Sequence, residues 1–147
     1  MAGINFGSLF PGKNRYADDG ELITSGAQDY AGKYSTQVFA NATATAAATA
    51  TVYTVPAGKV FYLSHYNATM FKNVASSVSF YLKLNAAGAF TLIFRWFLST
   101  AILMDQKIST GQLGMPIRCI AGTTVDVQTD NANAICTMNI HGWLENA

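Results

Sequence analysis

The chain has 147 residues, 50% of them hydrophobic and only 12% charged, with a formal net charge of +1. That length suits one domain able to bury a core without metals or disulfides. Its nine basic residues are scattered rather than clustered, which argues against direct sequence-specific nucleic-acid binding, and a surface so poor in charge is expected to be partly covered by other molecules.

Residues 1–34 read as an extended N-terminal arm. They hold six of the 12 glycines and no sustained period of 2 or 3.6. Yet Phe6, Leu9, Phe10 and Tyr16 recur along them, and disordered tails are usually poor in aromatics. Spaced aromatic anchors suit a segment laid across another surface, preferably that of a neighbouring subunit. The opening residues lack a basic region followed by an apolar run, so no signal peptide is expected.

Residues 35–51 are Ala- and Thr-rich, with split propensity, and read as a linker or an edge strand. Residues 52–147 then carry a steady β signal and read as a β-sandwich domain. Val52–Val55 stops at the turn Pro56-Ala57-Gly58-Lys59, and Val60–Tyr66 follows. Asn67–Ser76 reads as loop or irregular edge. Val78–Leu84 alternates cleanly, with Val78, Phe80, Leu82 and Leu84 on one face. After Asn85–Gly88, residues 90–98 alternate as Phe90, Leu92, Phe94, Trp96 and Leu98 against Thr91, Ile93, Arg95 and Phe97. Apolar residues on both faces indicate a strand covered twice or packed on a partner. Residues 102–108 form a weaker strand, Thr110–Gly114 a loop, and Ile117–Ile120, Thr123–Thr129 and Ile135–Leu144 the last strands. Seven or eight strands joined by short turns predict an antiparallel β-sandwich, jelly-roll-like, with no long helix. Ala89–Met104 is too short for a membrane span and has Arg95 at its centre, so it reads as core.

Chemistry is thinly represented. Gly7–Lys13 fits the first positions of a P-loop, but Asn14 stands where Ser or Thr would hold Mg²⁺, and no buried strand precedes it. Asp18, Asp19 and Glu21 lack the spacing of an EF-hand. His65, His141, Cys119 and Cys136 have no paired ligand spacing. Two cysteines are too few for a disulfide framework and read as small buried hydrophobes, with their pairing left open. The Asn41-Ala42-Thr43 and Asn67-Ala68-Thr69 sequons carry no meaning without a signal peptide. The expectation is a non-enzymatic protein with no catalytic residues, no metal and no cofactor.

Three stretches carry a family resemblance. Thr54-Val55-Pro56-Ala57-Gly58-Lys59-Val60-Phe61-Tyr62-Leu63 resembles the opening turn and strand of β-sandwich domains in tailed-phage and related virion proteins. Pro116 to Val127 is similar to their penultimate hairpin, and Ile140-His141-Gly142-Trp143-Leu144-Glu145 to their closing strand. The resemblance covers residues 52–145. It implies a virion structural protein of the capsid-associated, decoration, head-fibre or tail-associated type, made in the host cytoplasm. Its partners would be copies of itself, as a trimer, pentamer or hexamer, and another capsid or tail protein. Phe6, Leu9, Phe10 and Tyr16 in the arm, with Phe97 and Trp143 on the domain, are the expected interface residues. The alternative is a carbohydrate- or receptor-binding β-sandwich, served by exposed aromatics.

Overall fold

A computed structural model of the chain describes residues 14–16, 22–24, 36–100 and 103–147. The chain divides into two units, Met1–Ser35 and Thr36–Ala147. In the first, β1 (Asn14–Tyr16) pairs antiparallel with β2 (Leu22–Thr24), placing Tyr16 opposite Leu22. Phe6, Leu9 and Phe10 lie outside the described residues.

The second unit is built from β3 (Thr36–Thr45), β4 (Thr49–Thr54), β5 (Lys59–Asn73), β6 (Val78–Ala86), β7 (Ala89–Leu98), β8 (Met104–Cys119), β9 (Thr124–Thr129) and β10 (Ala134–Asn146). They form two four-stranded antiparallel sheets, ordered β3-β10-β5-β8 and β4-β9-β6-β7. The pairings nest: β6 with β7, β5 with β8, β4 with β9 and β3 with β10. The chain is thus one long antiparallel ribbon rolled on itself, with β10–β5 and β6–β9 closing the roll. This is an antiparallel β-sandwich, as the alternation predicts. Of the two readings of the Ala/Thr stretch, linker or edge strand, the structure has the edge strand. The stretch supplies β3 and the start of β4, one edge strand for each sheet, so the sandwich begins at Thr36 rather than at residue 52.

The core lies between the sheets. One sheet contributes Phe61, Leu63, Ala68, Met70, Cys136, Met138 and Ile140, and the other Val78, Phe80, Leu82, Val125 and Val127, all buried. Burying each large side chain contributes about 1.5–3 kcal/mol. Cys119 and Cys136 are free, buried thiols. They sit opposite Phe61 and Met70 respectively, nine residues apart along β5. At about 3.3 Å per residue that places them roughly 30 Å apart, far beyond bridging distance.

Two expectations change. Asn67–Ser76 is not a loop: β5 continues to Asn73, because β10 and β8 flank it and pair with it on both sides. Residues 104–119 form one strand rather than two separated by a loop. Its ladder with β5 jumps from Leu63–Ile117 to His65–Gln112, so residues 113–116 bulge out. Pro116 has no N–H for the ladder, which makes a bulge the natural place for it. Among the described residues no helix is long and apolar enough to cross a membrane.

Candidate assembly surfaces

The β6–β7 hairpin turns through Ala87 and Gly88, both at positive φ (51° and 85°), and the Asn85 side-chain oxygen accepts from Gly88 N–H at 3.1 Å. Two residues at positive φ make the turn type that matches the twist of a tight hairpin. From there β7 pairs with β6 on one side only, as the edge of its sheet. Its register fixes which side chains face out. Leu98, Trp96 and Phe94 stand opposite Val78, Phe80 and Leu82, facing the core. Then the ladder shifts: Leu82 pairs with Phe94, but Lys83 pairs with Leu92, leaving Ile93 as an extra residue. One extra residue reverses the facing of everything beyond it.

This bulge overturns the single-face alternation expected for 90–98. Thr91 takes the inward position opposite Leu84, and Phe90 and Leu92 turn outward opposite Asn85 and Lys83. Phe90 is 65% exposed, Leu92 52% and Phe97 54%. Around them the same face carries cations held against rings. The Lys83 ammonium lies 4.9 Å from the Tyr81 ring centroid and 5.8 Å from that of Phe90, and the Arg95 guanidinium lies 5.6 Å from Tyr81. Arg95 also donates to Ser79 Oγ at 3.0 Å. The result is an apolar strip on an open sheet edge, flanked by cations already engaged with their own sheet.

Across the sandwich, β8 is the edge of the other sheet. It exposes Met104, Ile108 and, at the apex of its bulge, Met115. The two edges are tied together through the core. Trp96 donates its indole N–H to Ser109 Oγ at 3.0 Å, and Tyr66 packs on Phe94 and Trp96 at 4.7 and 5.6 Å. Gly111 makes room for that cluster, since a Cβ there would meet the Tyr66 ring at 2.5 Å.

The outer face of the β3-β10-β5-β8 sheet differs. Phe39 is exposed and stacks on His141 with centroids 4.3 Å apart, and His65 lies 5.4 Å from His141. His141 Nε2 lies 2.8 Å from Gln37 Oε1. Partial burial, and then the neighbouring His65, hold the His141 pKa below its usual value. Burial pushes the two thiols up, to about 11 for Cys119 and about 12 for Cys136, so they stay protonated. Among the described residues no three His, Cys, Asp or Glu side chains come together as a metal site.

Of the expected interface residues, Phe97 is placed outward and exposed. Trp143 is not an open anchor: it is 3% exposed, stacked on Tyr62 at 5.3 Å, and its N–H reaches Glu145 at 3.0 Å. Tyr16 lies in β1. Phe90, Leu92, Met115 and the Phe39–His141 pair were not singled out as surface from the sequence. The signals were an unbroken alternation that hides a bulge, and cross-strand neighbours far apart in the chain.

No family model matches the chain, and no curated protein matches it. Among solved structures it is similar to two crystal structures, each described as a pentameric capsid protein isolated from metagenomic phage sequences. The first aligns over 74% of this chain at 11% identity, with a TM-score of 0.41, and the chain spans only 60% of that protein's length. The second aligns over 98% of this chain and 93% of its own, at 10% identity and a TM-score of 0.38.

Proposed function

We propose that this chain is a virion structural protein, a capsid-associated, decoration or tail-associated subunit that works by assembling with copies of itself. The observation that carries this reading is the apolar strip of Phe90, Leu92 and Phe97 on an open edge strand. Open edges with exposed apolar side chains are what soluble monomers avoid, and partners cover them. Low overall charge and the rolled sandwich, an architecture used for capsid and lectin domains, support it. In this reading the chain is not an enzyme. It also makes contacts through residues 1–34, with Phe6, Leu9, Phe10 and Tyr16 as anchors on a neighbouring subunit.

The test is the solution mass by light scattering of the full chain and of the chain lacking residues 1–34. A closed oligomer that loosens on truncation, with the sandwich still folded, is the expected result. A stable monomer in both forms removes self-assembly. An intact oligomer in the truncated form removes the role of the arm.

A further inference from the structure

We propose that residues 14–24, the β1–β2 hairpin and the acidic stretch between its strands, dock on the Phe90–Phe97 strip of a second copy of this chain. The inference rests on the assembly reading and deepens it, naming the face that receives the arm and the chemistry that selects it. The receiving face follows from the pairing register. Its cross-strand rows set Phe90 beside Asn85, Leu92 beside Lys83, Arg95 beside Tyr81 and Phe97 beside Ser79. The strands β6 and β7 together carry two cations, Lys83 and Arg95, and no carboxylate. Among the described residues both cations have neutral partners. Lys83 donates to Gln128 Oε1 and Arg95 to Ser79 Oγ, and both lie against rings. Two carboxylates border the face, and both are engaged elsewhere. Asp126 is buried and accepts from the Thr51 and Thr124 hydroxyls at 2.8 and 2.9 Å, and Asp130 accepts the Ser79 N–H at 2.9 Å. An exposed apolar strip beside cations that lack a counter-charge favours an apolar partner that brings carboxylates. The other open edge, β8, carries both Asp105 and Lys107 and has no such imbalance.

The chain itself contains such a partner. Residues 16–32 hold Asp18, Asp19, Glu21 and Asp29, half of the eight acidic residues, and no Lys or Arg. Three of those acids stand between β1 and β2, next to Tyr16, Leu22 and Ile23. The two strands are 3 residues each, and among the described residues they pair only with each other. A two-stranded ribbon of that size is marginal in water and is stabilised by packing on another surface. The edge of β7 in turn has backbone groups that no strand of its own sheet pairs. Phe90, Leu92 and Phe97 stay exposed in the single chain, so the contact is assigned to a neighbouring copy. Apolar side chains supply the buried area, and the carboxylates facing Lys83 and Arg95 set register and orientation.

The experiment is charge reversal in the full chain, read as the association midpoint by light scattering over a dilution series at low ionic strength. One variant carries Arg95→Glu, and the other Asp18→Lys, Asp19→Lys and Glu21→Lys together. Each alone should weaken association about tenfold or more, because like charges then meet. An equal mixture of the two should associate at least about threefold more tightly than either alone. In the mixture the unreversed arm of one variant finds the unreversed sheet of the other. Neither a misfolded variant nor docking within one chain gives that recovery, and thermal unfolding checks that each variant is folded. Unchanged association in both variants, or weakening with no recovery on mixing, overturns the docking. An oligomeric unsubstituted chain then leaves the assembly reading standing, whereas an unsubstituted chain that is monomeric at every concentration removes both.

Discussion

Replacing Phe97 by Ser isolates the assembly reading from folding. The ring lies on the outer face of an edge strand, 54% exposed and opposite Ser79 in the β6 ladder. A phenylalanine side chain offers about 200 Å², so roughly 110 Å² of Phe97 is available to a partner. At about 25 cal/mol per Å², covering that area contributes about 2.7 kcal/mol, an upper value because ordering and imperfect contact offset part of it. Its loss corresponds to association weakened by up to ~100-fold. Folding stability should change by no more than ~0.5 kcal/mol, since no core contact is removed. Light scattering over a dilution series gives the association midpoint, and thermal unfolding of the dissociated protein gives stability. An association midpoint within about threefold of the unsubstituted protein refutes the placement of Phe97 in an interface. A large drop in stability refutes the outward register of β7.

Three further outcomes follow from the geometry. Gly142→Ala places a Cβ against the Tyr62 carbonyl oxygen and the Phe61 ring, backbone that cannot step aside; denaturant unfolding should show a loss of ~1–3 kcal/mol or more. Gly114→Ala, with nothing within 4 Å of its Cβ, is the matched control and should be near neutral. With thiol pKa values of about 11 and about 12, Cys119 and Cys136 should not react with a chromogenic disulfide at pH 8 until the protein is unfolded, when both titrate. Because His141 is depressed in the folded state, the unfolded chain takes up its proton first as pH falls. Its contribution to stability is therefore complete above the ordinary histidine value near 6.5 and is lost as pH drops below it. Thermal midpoints should decline from pH 7.5 to 5 less steeply in His141→Gln than in the unsubstituted chain.

The all-β class and most of the turns were legible because turn chemistry punctuates the chain. Pro56–Lys59 closes with Lys59 N–H on the Pro56 carbonyl and Gly58 at φ 69°, and Ala121-Gly122 turns with Gly122 at φ 80°. Val78–Leu84 faces as its alternation predicts, because nothing interrupts its ladder with β9. What stayed open or failed was local. The Ala/Thr stretch carries no decisive propensity between linker and edge strand, and β10 makes it a strand by pairing with it from Thr36 to Thr45. Asn67–Asn73 looks polar because only Ala68, Met70 and Lys72 face inward there. Lys72, fully buried, donates to the Ser76 and Ser99 carbonyls, a partnership no local pattern announces. The cluster of Phe39, His65 and His141 joins residues from β3, β5 and β10 and exists only after pairing.

The bulges at Ile93 and Ser64 act alike in the two sheets. In β5, Phe61 and Leu63 face the core, and so do Ala68, Met70 and Lys72, although the two sets differ in parity. Ser64 absorbs the difference, since β10 pairs Leu63 with Gly142 and His65 with His141. A regular strand keeping Phe61 and Leu63 inside would also drive His65 inside, against an apolar core with no partner for its ring nitrogens. In β7, a regular strand keeping Trp96 and Leu98 inside would drive Phe90 and Leu92 inside as well. Ile93 prevents that, and so leaves the apolar strip outside. A bulge is a local disruption of a ladder that strengthens twist and re-aims side chains. Here each one sends to the surface side chains that a regular strand would bury: the apolar strip in one sheet and the His65 imidazole in the other. The parity switch at position 93 is therefore where sequence, fold and proposed function meet in this chain.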